Sequence, residues 1–273
     1  MLATFVITWR ETIEAALIIG ILLAYLRKIG HRHEFRYIFG GAAAAVVASA
    51  LFAGASSLAM KLVEGIGEEL FDALILLAAV AVLTYMVVWM HHNAKEIRGE
   101  LLSKADQALA RHQLWALGLL AFVGVFREGV ETVLFLWGIL LQAGPVGSVT
   151  LQAAGGLAGV ATGILMAWLF FKGFGHLDLR LFFKATGVLL LFISAGMLSS
   201  VGGRLIAAGW LPPLIEPLWD SSWLLSERSL IGSLVAGLFG YRSHPSLLEL
   251  LIYVGYFPLV LFWLRREHHD LAQ

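Results

Sequence analysis

The chain of 273 residues contains no cysteine, and this absence narrows the chemistry that it can host. Without thiols it has no disulfide, no thiolate-bound zinc and no cysteine-held iron–sulfur cluster. We therefore expect any metal ion bound here to be held by oxygen or imidazole ligands.

Charged residues are also scarce, at 14% of the chain, and they balance to a formal net charge of zero. No excess of either sign favours nucleic acid as a partner, so we predict none. Hydrophobic residues make up 59% of the chain, and the mean hydropathy is +0.83. Soluble domains have roughly 45–50% apolar and about 25% charged residues. The composition predicts an all-α integral membrane protein whose main surroundings are the lipid bilayer.

Seven apolar runs are each long enough to cross a bilayer, which needs about 20 residues. They cover roughly residues 2–26, 37–60, 70–90, 114–142, 149–171, 181–201 and 247–264. Residues 91–113 are polar and predict a cytoplasmic linker helix. Residues 202–246 predict an extracytoplasmic loop region that either docks a partner or folds as a cap.

The distribution of Lys and Arg predicts the orientation of these spans. Thirteen of the 19 basic residues fall on one side of the seven runs and four on the other, with Arg10 and Arg127 inside the runs. The side richer in Lys and Arg faces the cytoplasm. We therefore expect the N-terminus outside and the C-terminus in the cytoplasm, as seven spans require.

Two segments of the chain repeat each other without gaps: "FVITWRETIEAAL" from residue 5 and "FVGVFREGVETVL" from residue 122. Each is followed by a Gly-rich second span and by a third span that begins with Leu-Phe. A repeat of three spans inverts the second copy relative to the first, as in many transporters. We predict two inverted three-helix repeats, residues 1–90 and 114–201, and an additional seventh helix with a cytoplasmic tail, residues 247–273.

The repeated segments carry an arginine and two glutamates within apolar helices. On insertion scales, each charged side chain at the centre of a membrane costs about 2.5–3.5 kcal/mol. A functional role is therefore the default explanation for charges at this depth. At about 100° per residue the three side chains share one helix face. If the two helices face each other, four carboxylates converge beside two guanidinium groups, a set that suits a hard, multiply charged cation. These residues are Glu11, Glu14, Glu128 and Glu131 as transport-site ligands, and Arg10 and Arg127 as their charge partners. The alternative is a pair of buried salt bridges that only locks the helices together.

Two further groups of side chains lie at the ends of the third run. Glu68, Glu69 and Asp72 predict an external site that collects cations, although acids in a first helical turn also favour the helix dipole. His91 and His92, at the cytoplasmic end, are candidates for receiving an ion on exit. Histidines at a helix end are more often solvated.

The R-E-x-x-E motif, as "RETIE" and "REGVE", resembles the oxidase-dependent iron permease family of fungal ferric permeases and bacterial EfeU-like iron transporters. The likeness extends to "EELFDALI", "VVWM", "LFFKATGVLLLFISAGML" and "GLFGYRSHPSL". Two positions differ from the family pattern: Thr12 stands where Gly is usual, and Asp72 where Glu is frequent.

This resemblance implies a high-affinity permease, not an enzyme, in the inner membrane. The expected cargo is iron, as Fe³⁺ after extracytoplasmic oxidation of Fe²⁺, with no permanently bound cofactor. The expected partners are a periplasmic iron-binding protein and a haem peroxidase or ferroxidase.

Two other functions fit parts of the pattern. Carboxylates discriminate poorly among cations, so a permease for lead or manganese is one alternative. The other is a membrane di-metal oxidase, but such sites normally add Glu-x-x-His, and neither motif here is accompanied by an intramembrane histidine.

Overall fold

A computed structural model describes residues 1–63, 68–93, 96–110, 113–143, 149–172, 179–227 and 229–270. Within these ranges there is no strand, and the chain forms a short 3₁₀ turn, Arg32–Glu34, and nine α-helices. The helices are α1 (Leu2–Lys28), α2 (Phe35–Val63), α3 (Glu68–Asn93), α4 (Glu96–Ala110), α5 (Leu114–Ala143), α6 (Val149–Phe171), α7 (Leu179–Ala207), α8 (Leu230–Phe239) and α9 (Leu247–Asp270).

Five of the described helices, α2, α3, α6, α7 and α9, are long and apolar enough to cross a membrane. The chain is therefore a multi-pass membrane protein. Helices α1 and α5 are also long, at 27 and 30 residues, but each carries the three charged residues of its motif within the helix. The prediction of seven spans depends on these two helices, which composition alone does not assign to the membrane.

The predicted boundaries differ from the structure most at the sixth run and at the loop after it. Helix α7 continues to Ala207, six residues beyond the predicted end, because Gly202 and Gly203 let it pack closely against Ile252 and Glu249 of α9. The predicted loop region thus begins with helix and also contains α8. Within the predicted linker, residues 91–113, helix α4 covers Glu96–Ala110.

Four helix pairs make the main contacts: α1 with α6, α2 with α5, α3 with α7, and α1 with α5. Small residues allow the closest approaches, as expected for helices that pack in lipid. Gly41 of α2 lies against the Gly118 backbone of α5, and Gly155 of α6 lies against the Met1 backbone. The α1/α6 and α2/α5 pairs each run parallel, whereas α1 crosses α5 in the antiparallel sense.

The described part of the segment between α7 and α9 is folded and held by hydrogen bonds. Backbone amides of Leu218 and Ser221 donate to the carbonyls of Pro245 and Ser243. Helix α9 then begins with a capping box, because the Ser246 amide donates to Glu249 Oε2 at 2.9 Å and the Glu249 amide donates to Ser246 Oγ at 3.2 Å. Arg242 pairs with the other oxygen of Glu249.

Candidate metal site where two helices cross

The two motifs meet where α1 crosses α5. Each motif places its arginine and glutamates on one helix face, and that face is turned toward the other helix. Arg10 and Glu11 are almost fully buried, with exposed fractions of 1% and 2%, and Glu128 is 4% exposed. Charges buried this deeply need partners, so the geometry of the pairs decides what the site can do.

The first motif is a closed set of ion pairs. Arg10 Nη1 lies 3.1 Å from Glu11 Oε1, and Arg10 Nη2 lies 2.8 Å from Glu14 Oε1. The same guanidinium donates to two thioethers of α3, to Met86 Sδ at 3.1 Å and to Met90 Sδ at 3.0 Å. Arg10 thus fixes Glu14 and one oxygen of Glu11.

The second motif is more open. Arg127 Nε donates to Glu131 Oε1 at 2.9 Å and lies 3.6 Å from Glu128 Oε1. Its side chain is 47% exposed, and its guanidinium carbon lies 5.5 Å from the centre of the Trp89 ring. That distance suits a cation–π contact. The two arginines therefore play unequal parts in two motifs of nearly equal sequence.

Three of the four motif glutamates form a cluster that we call the three-carboxylate cluster: Glu11, Glu128 and Glu131. One oxygen from each lies within 4.8 Å of the others. The buried Oε2 atoms of all three make no hydrogen bond in the structure. Buried carboxylate oxygens without a donor are costly unless a cation satisfies them, and oxygen-only ligands suit hard cations. Glu14, held by Arg10, lies beside this cluster.

Of the acids predicted to form an external site, Glu69 and Asp72 differ in their surroundings. Asp72 is buried, and its Oδ2 lies 2.8 Å from Arg204 Nη1 of α7. Arg204 also donates to the Leu141 carbonyl at 3.1 Å, which ties the ends of α3, α5 and α7 together. Glu69 is exposed, and the Glu68 side chain lies outside the described residues. Asp72 is thus paired with an arginine, whereas Glu69 is exposed.

The predicted exit residues, His91 and His92, end helix α3, and their side chains are outside the described part of the structure. The residues that the sequence reasoning missed come just before these histidines on α3: Met86, Trp89 and Met90, which contact the two arginines. The "VVWM" segment that supports the family resemblance contains two of them, Trp89 and Met90. The sequence therefore marked this segment but did not indicate that its side chains contact the arginines.

Comparison with known proteins gives a consistent result. A model described as the iron permease FTR1 family matches residues 1–265. An uncharacterized protein of Archaeoglobus fulgidus is 35% identical and aligns over 100% of this chain and 98% of its own length. A ferrous iron permease EfeU of Escherichia coli is 34% identical over 94% of this chain and 92% of its own, and one of Yersinia pestis is 32% identical over 97% and 94%.

No solved structure matches the chain. The family model and the relatives named EfeU are permeases and not enzymes, which confirms both the resemblance and the prediction of a transporter. The family model and these near full-length relatives agree, and the chain belongs to the iron permease FTR1 family.

Proposed function

We propose that the chain takes up iron across the cytoplasmic membrane through a midplane site built by the two R-E-x-x-E motifs. The convergence of Glu11, Glu128 and Glu131 at the α1/α5 crossing carries this proposal. Glu14 belongs to the same site, where its carboxylate pairs with Arg10 and is available to an ion when that pair opens. Iron is the cargo, and the site binds it only transiently.

The helix contacts support two inverted repeats and therefore seven spans. Thr12 of α1 lies against Gly163 of α6, and the equivalent Gly129 of α5 lies against Ser49 of α2. In each pair one helix of one repeat packs parallel to the second helix of the other repeat. Exchanging the two repeats maps one pair onto the other, so we assign α1 and α5 to the membrane beside the five apolar helices.

The oxidation state of the cargo is the finer part of the proposal. An oxygen-only cluster suits Fe³⁺, and we propose that Fe³⁺ forms outside the membrane by oxidation of Fe²⁺. A periplasmic iron-binding protein and a haem peroxidase or ferroxidase would supply it. Fe²⁺ is the second candidate, because the relatives in Escherichia coli and Yersinia pestis are named ferrous iron permeases.

The path through the membrane follows from the proposed orientation, with the N-terminus outside the inner membrane and the C-terminus in the cytoplasm. Glu68 and Glu69 collect ions at the outer mouth, and an ion that reaches Asp72 displaces Arg204. The ion then moves to the three-carboxylate cluster and leaves toward His91 and His92.

Uptake by purified protein in liposomes tests the proposal. Radioactive iron is offered either as Fe²⁺ with a reductant or as a soluble Fe³⁺ chelate, to wild type and to Glu11→Gln and Glu128→Gln. We expect both variants to lose most uptake at normal protein level, whereas Glu100→Gln on exposed α4 keeps it. Normal uptake in both variants would refute the site, and stronger wild-type uptake of manganese or lead than of iron would refute the cargo.

A further inference from the structure

The guanidinium of Arg10 sits in a four-sided cage. Two carboxylates and two thioethers face it, with Glu11 Oε1 at 3.1 Å, Glu14 Oε1 at 2.8 Å, Met86 Sδ at 3.1 Å and Met90 Sδ at 3.0 Å. We call these four side chains the thioether cage. A side-chain cation thus occupies a position that four acceptor atoms surround.

The two thioethers are an unusual choice if the cage served only to hold an arginine. Thioether sulfur is a weak hydrogen-bond acceptor and carries no charge, so it adds little to the retention of a guanidinium. Met86 and Met90 are one turn apart on α3, so both side chains lie on one helix face, where Met86 Sδ accepts from Nη1 and Met90 Sδ from Nη2 of the same guanidinium. Met86 is 2% exposed, so its sulfur is fixed by packing.

Sulfur changes the kind of cation that the cage suits. Carboxylates alone favour hard ions, whereas soft thioether ligands favour ions with affinity for sulfur. Two oxygens and two sulfurs suit a borderline divalent cation such as Fe²⁺ better than Fe³⁺. Our expectation from composition, that metal ligands are limited to oxygen and imidazole, left methionine out.

The cage and the three-carboxylate cluster share Glu11. One of its oxygens faces Arg10, and the other makes no hydrogen bond. An ion in the cluster is therefore one carboxylate away from the cage, whose centre is taken by the Arg10 guanidinium.

We propose that Glu11, Glu14, Met86 and Met90 form a second cation position next to the three-carboxylate cluster, for a sulfur-binding divalent ion, and that Arg10 fills this position when no ion is present. This inference rests on the proposed function of iron uptake and, of its two candidate ions, favours Fe²⁺ as the one that the site passes on. Met86 and Met90 are then ligands of the cargo, and Arg10 is a tethered competitor.

X-ray absorption at the iron edge tests the proposal directly, because the chain has no cysteine and any sulfur bound to iron must come from one of its six methionines. The full-length protein is purified in detergent and saturated anaerobically with Fe²⁺. We expect sulfur in the first coordination shell of the wild type and none in the Met86→Leu/Met90→Leu variant. Met197→Leu, which changes a fully buried methionine on α7, is the matched control and keeps the sulfur.

A second variant tests the competition. Arg10→Ala removes the tethered cation, so at Fe²⁺ concentrations below saturation the sulfur count per bound iron should rise above that of wild type, and an unchanged count there would overturn the role given to Arg10. An oxygen-only shell in wild type at saturating Fe²⁺, or sulfur that persists in the double leucine variant, would overturn the cage. Failure of the proposed function looks different, because the wild type would then show no iron uptake in liposomes at all.

Discussion

Removing one charge from the three-carboxylate cluster should stabilise the protein without iron and weaken its response to iron. Glu128 has two carboxylate neighbours within 4.8 Å. At an effective dielectric constant of about 20, each neighbour at that distance repels it by about 3.5 kcal/mol. Arg127 Nε, 3.6 Å away, attracts it by about 4.6 kcal/mol on the same scale.

With every carboxylate fully charged, the net repulsion on Glu128 is on the order of 1–2 kcal/mol, which is an upper limit because a proton on a neighbouring carboxylate removes part of it. Arg127 is half-exposed, so water weakens its attraction for Glu128. The repulsion from the two carboxylates therefore still exceeds the attraction. Glu128→Gln abolishes the repulsion and keeps the shape of the side chain. The free energy of unfolding without iron should rise by at most a similar amount.

Thermal unfolding of the purified protein, with and without iron, measures both effects. Without iron the Glu128→Gln midpoint should lie above that of wild type, and the rise in midpoint on adding iron should shrink. The affinity for iron should fall at least about tenfold if the lost carboxylate contributes about 1.4 kcal/mol or more to ion binding. Glu249→Gln is the contrasting control: Glu249 is buried with Arg242 and its capping box, so its variant should be less stable than wild type. A less stable Glu128→Gln with an undiminished iron response would refute the electrostatic argument.

Three other predictions concern the rest of the fold. A cysteine at Lys104 should resist an impermeant thiol reagent added to intact cells and react after lysis, since α4 is expected in the cytoplasm; external labelling would reverse the orientation. Asp72→Asn and Arg204→Gln should each lower the free energy of unfolding by about 1.5–3 kcal/mol, as measured by denaturant unfolding. The double variant should lose less than the sum of the two, and strict additivity would show that the two side chains do not interact. Gly129→Thr should lower the free energy of unfolding by about 1–3 kcal/mol through a clash with Ser49. Adding Ser49→Gly should restore most of this stability in thermal unfolding, and no recovery would show that the threonine clashes with another residue.

The sequence was sufficient for the features that depend on local periodicity. Apolar runs located the long helices, and the 3.6-residue period placed each motif on one helix face. The internal repeat also pointed to Glu11 and Glu128 as neighbours, although they are far apart along the chain. Thr12, which departs from the family pattern, faces Gly163, so the larger residue on α1 meets a smaller one on α6.

What the sequence could not supply were contacts that depend on the way helices from distant parts of the chain meet. Arg10 and its thioether acceptors are 76 and 80 positions apart, and no local pattern links them. The pairing of Asp72 with Arg204 likewise requires that the ends of α3 and α7 adjoin. The unequal burial of Arg10 and Arg127 is a tertiary property too, since their local sequences are nearly identical.

The way that α1 pairs with α6, and α2 with α5, has a consequence for how the protein is made. Helix α2 leaves the ribosome well before α5, its main partner, and it makes few contacts with α1. Its small-residue face must therefore remain in contact with lipid during synthesis until the second half is inserted. Neither half can complete its own packing, so a chain cut within the α4 segment should assemble only when both fragments are made in the same cell, and each fragment alone should be a substrate for membrane proteases.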